Sequence, residues 1–84
     1  MTVKGRSDGK EDSLRMANEI VKIANDKLAT GMHPLDIASA ICHAGANFTA
    51  FAYAQGTDDA LDIASVMEEF QQRLEYYDKH HREK

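Results

Sequence analysis

The segment from Pro34 to Gln55, PLDIASAICHAGANFTAFAYAQ, limits what this chain can become more than any other stretch. It opens on the only proline and is followed by Gly56. Proline suits the first helical position, where its missing N–H costs nothing, and glycine suits the position just past a helix end. Small and apolar residues fill the interval, so it reads as one long helix. Stepping about 100° per residue, Ile37, Ile41, Phe48 and Phe51 form a ridge of large side chains. Beside it runs a strip of small residues, Ala38, Cys42, Gly45, Thr49 and Ala52. Asp36, Ser39, His43 and Asn47 make a narrow polar stripe on the far side. The apolar arc covers roughly 200°, where a surface helix needs about 100° or a little more.

An arc of that width has to be covered from two directions. In one arrangement the helix lies between two others, and the small strip admits one backbone closely. In the other, a three-helix fold leaves the small strip bare and a second copy of the chain covers it. Chain length favours the second arrangement. Eighty-four residues form one small domain with a thin core, and self-association is a common remedy. A homo-oligomer, with a dimer favoured, is therefore expected, and a separate protein partner is the alternative occupant.

The flanking segments supply two further helices. From Asp12 or Ser13, either of which can cap a helix, Met16, Ala17, Ile20, Val21, Ile23, Ala24 and Leu28 share one half of the wheel. Arg15, Asn18, Glu19, Lys22, Asn25 and Asp26 fill the other half, and Gly31 is the expected stop. After Gly56, Thr57 is the expected cap of a third helix, with Asp58 and Asp59 in its first turn at the positive end of the helix dipole. There Ala60, Ile63, Met67, Phe70, Leu74 and Tyr77 recur at alternating intervals of three and four, a heptad seam suited to packing along a neighbouring helix. Glu68, Gln72, Glu75 and Lys79 line the opposite side. The spacing predicts helices over 12–29, 34–55 and 58–80. Their short connections favour an all-α, three-helix antiparallel bundle, completed or extended by homo-oligomerisation. Residues 1–11 are expected to form a polar arm, 12–80 a single helical domain and 81–84 a frayed tail.

Charge and composition narrow the function classes. The balance of 43% hydrophobic and 29% charged residues is globular. The net charge is −4, and the basic residues at both ends are interrupted by acidic ones. Neutralising phosphates takes clustered Lys and Arg, so nucleic acid is not an expected partner. The central segment is long enough to cross a bilayer, yet it carries a polar stripe and no basic flank, so no membrane span is expected. Cys42 is the only cysteine and cannot form an intramolecular disulfide. The N-terminus has no apolar stretch of the signal-peptide kind, and a cytosolic protein is expected.

No catalytic constellation emerges. Cys42 and His43 point about 100° apart on a helix and cannot easily share a metal ion. Ser39, His43 and Asn47 share one face, so they are the one place where a small-ligand, metal-binding or enzymatic site could be built. A solvated polar stripe is the simpler account of them. Cys42, among Ala38, Gly45 and Thr49, reads as a small packed residue rather than a nucleophile. Asp58, Asp59 and Asp62 lack the alternating ligand spacing of a calcium loop. No phosphate-binding glycine loop and no Ser/His/Asp or Cys-x-x-Cys arrangement occurs. The expectation is a non-enzymatic module without a cofactor, self-associating through Ala38, Cys42, Gly45, Thr49 and Ala52.

From Ala17 to Tyr77 the chain resembles a family of short bacterial proteins known only as a domain of unknown function. The matching pieces are Ala24-Asn25-Asp26 in the first helix, Ala46-Asn47-Phe48-Thr49-Ala50-Phe51 in the second, and an acidic amphipathic third helix. The KHHREK ending departs from the more acidic end of that family. The resemblance implies a small, bacterial, cytosolic, all-helical protein, and it implies no activity and no functional residue.

Overall fold

The computed structural model describes residues 9–83. Among them all regular structure is helical: α1 (Gly9–Ala29), α2 (Pro34–Phe51) continued by a π-helical turn (Ala52–Gly56), and α3 (Ile63–Arg82). The chain divides into two compact units, Met1–Gly45 and Ala46–Lys84.

In the first unit α1 starts at Gly9, earlier than the capping residues suggest. Asp12 and Ser13 lie inside the helix rather than capping it. The Arg15 guanidinium instead donates to Asp12 Oδ1 at 3.3 Å and to Glu11 Oε1 at 3.5 Å, one turn back along the helix surface. Gly9, Lys10 and Glu11, assigned to the polar arm, are therefore helical. The rest of that arm lies outside the described residues.

The end of α1 follows the sequence closely. Gly31 adopts φ 99°, the left-handed region where a Cβ would clash. The Gly31 N–H donates to the Leu28 carbonyl at 3.0 Å and the Met32 N–H to the Lys27 carbonyl at 3.2 Å. This paired pattern satisfies carbonyls that the helix end would otherwise orphan, and it turns the chain sharply. His33 then caps α2. Its Nδ1 accepts from the Leu35 N–H at 3.0 Å, and its carbonyl accepts from Asp36 and Ile37 at 3.0 and 3.1 Å. Pro34 occupies the first helical position. A shallow groove of about 250 Å³ is lined by Ile20, Ile23 and Ala24 of α1, Met32 of the turn, and Ile37 and Ile41 of α2.

In the second unit the helix ending at Phe51 widens into the π-helical turn and stops at Gly56. The third helix begins later than the expected start at 58. Thr57 is extended, and its Oγ1 accepts from the Asp59 N–H at 3.2 Å in a local turn. The cap is Asp62, which leaves Ala60 and Leu61 outside α3. At the other end α3 carries through His81 and Arg82, two of the residues expected to fray, and the Glu83 N–H closes the last turn on the Lys79 carbonyl at 3.1 Å. Exposed pairs at one-turn spacing decorate α3: Arg73 with Glu69 at 2.8 Å and Arg82 with Asp78 at 2.7 Å. Each contributes a few tenths of a kcal/mol.

Caps and surface pairs hold the helices locally, and they do not replace a core. No described residue is buried, apolar or polar. A domain of about 60 residues ordinarily buries about 60% of the surface its unfolded chain exposes.

Candidate functional site

The three strips of α2 fare differently. Of the large ridge, Ile37 is half-buried and Ile41 lines the groove shared with α1. Further along, Phe48 and Phe51 touch each other, with ring centroids 5.4 Å apart and planes tilted by 57°. Both remain exposed, Phe48 at 66%.

The small strip has no close neighbour at the residue that would most need one. A Cβ placed on Gly45 would meet nothing within 4 Å. Ala38, Cys42 and Gly45 are exposed, while Thr49 and Ala52 are half-buried.

The polar stripe does not converge. Ser39, His43 and Asn47 are all exposed. They share a helix face, as their spacing requires, but line neither the groove between α1 and α2 nor the open recess along α3. Among the described residues no group of three or more His, Cys, Asp or Glu side chains could hold a metal ion.

Two features went unnoticed in the sequence. The first is His33, whose ring serves as the α2 cap. Histidine is not a favoured capping type, so the signal was hidden behind Pro34. The second is the extent of exposure along α3. Ile63 is 67% exposed, Met67 56%, Phe70 55%, Leu74 56% and Tyr77 48%. The apolar positions of the heptad seam are thus all exposed. On its flank, Tyr76 stands edge-on to Tyr77 at 5.1 Å and stacks on His80 at 6.3 Å.

One carboxyl stands apart: the Ser65 hydroxyl and backbone N–H, both donating to Asp62, hold its carboxyl below the usual aspartate value. This is cap chemistry and carries no catalytic implication. No helix among the described residues is long and apolar enough to cross a membrane.

The model of a family described as "Protein of unknown function (DUF3144)" matches residues 14–84. That span contains the Ala24-Asn25-Asp26 and Ala46–Phe51 motifs on which the resemblance rests. No curated protein matches the chain. No solved structure matches it either.

Proposed function

This chain belongs to the DUF3144 family, a membership that supplies no activity, and from that premise we propose that it is a non-enzymatic interaction or regulatory module that works by self-association. One observation carries the proposal: three amphipathic helices present their apolar faces and none of those side chains is buried. Burying a large apolar side chain contributes about 1.5–3 kcal/mol. Among the described residues no apolar side chain reaches full burial, so the chain gains stability by meeting a partner. The small strip Ala38, Cys42, Gly45, Thr49 and Ala52 is the proposed centre of the contact. Open space around Gly45 leaves room for a second backbone to approach.

In this reading a dimer completes an antiparallel three-helix bundle, and the assembly acts in the bacterial cytosol. The rival role for Ser39, His43 and Asn47, a small-ligand or metal site, draws no support from their exposed, unconverged placement. A helical segment from another protein is the other occupant the apolar faces would fit. Light scattering on the purified full chain at micromolar concentration separates these outcomes. Self-association gives a mass above 9.4 kDa. A monomer with a closed hydrophobic core would remove the basis of the proposal.

A further inference from the structure

We propose that α3 pairs with α3 of a second copy as a parallel, in-register two-stranded coiled coil. The inference rests on the self-association reading and specifies its geometry. The exposed seam of Ile63, Met67, Phe70, Leu74 and Tyr77 is the core of the heptad. Labelling the repeat abcdefg puts Met67 and Leu74 at a, and Ile63, Phe70 and Tyr77 at d.

Charge decides the orientation. The residues flanking the seam at g are Val66, Arg73 and His80, and those at e are Ala64, Gln71 and Asp78. In a parallel pair each g residue meets the e residue five positions further along the other chain. Arg73 then meets Asp78 of the other copy, and the pair occurs twice by symmetry. In an antiparallel pair g meets g and e meets e. Whatever the register, Arg73 could then meet only Val66, Arg73 or His80, and Asp78 only Ala64, Gln71 or Asp78. No antiparallel register produces an attractive Arg–Asp contact. Both groups are free to turn toward a partner, because their present contacts, Arg73 to Glu69 at 2.8 Å and Asp78 to Arg82 at 2.7 Å, are solvent-exposed pairs worth little. The seam from Ile63 to Tyr77 spans about two heptads, too short for a coiled coil standing alone, so it acts together with the α2 contact.

The test uses the full chain. In a Cys42→Ser background, Leu74→Cys places one thiol at an a position, where parallel chains bring the two copies face to face. Lys79→Cys places it at f, facing outward. Oxidation is expected to convert the L74C chain to a covalent dimer and to leave the K79C chain uncrosslinked. A second arm changes only surface charge, so it does not depend on the core tolerating a substitution. The Arg73→Glu and Asp78→Arg chains are each expected to self-associate on the order of two- to tenfold more weakly than the unsubstituted chain. Mixed one to one, they are expected to form the heterodimer in preference to either homodimer. If the chain is a dimer by sedimentation but L74C crosslinks no better than K79C, or the charge variants mix at random, the parallel α3 pairing is overturned while self-association stands. If the unsubstituted chain is a monomer at tens of micromolar, both fail.

Discussion

Asp62 accepts two hydrogen bonds from Ser65, one from its backbone N–H at 3.3 Å and one from its hydroxyl at 2.9 Å. This pair, three residues apart, fixes where α3 begins. It answers one of the orphan N–H groups of the first turn and anchors the capping side chain against rotation. It also sets the first seam residue of the helix, Ile63, immediately after the cap.

The same pair makes the start of α3 sensitive to acid. The Ser65 hydroxyl and N–H stabilise the charged form of Asp62 and lower its pKa below the unfolded value. The stabilisation is therefore present above the unfolded aspartate value and is lost as pH falls through the lower, folded value. Far-UV circular dichroism should show Asp62→Ala less helical than the unsubstituted chain at neutral pH. The difference should shrink in strong acid. A constant difference across the titration would argue against the cap.

His33 should behave as a cap as well. Its Nδ1 accepts from the Leu35 N–H at 3.0 Å, a role that a short polar side chain can take over. His33→Asn should keep the stability of the first unit, whereas His33→Ala should lose about 1 kcal/mol in chemical denaturation. Equal losses from both would assign His33 some other role.

Gly45 separates helix formation from assembly. Nothing lies within 4 Å of a Cβ at this position, so Gly45→Ala should strengthen the isolated helix by about 0.5–1 kcal/mol. If a second backbone approaches there, the same substitution should weaken self-association. Helicity at low concentration and the dissociation constant should therefore move in opposite senses. A variant that is more helical and associates as tightly would move the contact elsewhere.

Cys42 offers a direct view of the small strip. Its thiol is exposed in the single chain and lies among the residues proposed to meet a second copy. Its rate of alkylation should fall as protein concentration rises through the dissociation constant. A rate independent of concentration would place the strip outside the contact.

Some of this was legible in the sequence and some was not, for identifiable reasons. The turn between α1 and α2 could be read because Gly31 and Pro34 each have one strong structural preference. The start of α3 could not, because Thr57 and Asp62 satisfy the same capping rule, and the choice was made by Ser65, which gives Asp62 a partner. The early start of α1 at Gly9 was missed because Asp12 and Ser13 are good caps that here sit inside the helix, and the Arg15 pairings that favour Glu11 and Asp12 leave no signal of their own. The three strips of α2 were legible from periodicity. Their exposure was not, since periodicity identifies a face and does not say what covers it. The π-helical turn at Ala52–Gly56 has no signal that we can identify in its sequence.

The central proposal is that the exposed apolar faces of the helices are closed by a second copy. Sedimentation equilibrium of the unsubstituted chain from low micromolar to tens of micromolar tests it most directly. The account predicts a weight-average mass rising toward twice the chain mass of 9.4 kDa. A mass that stays at 9.4 kDa across the range would contradict it.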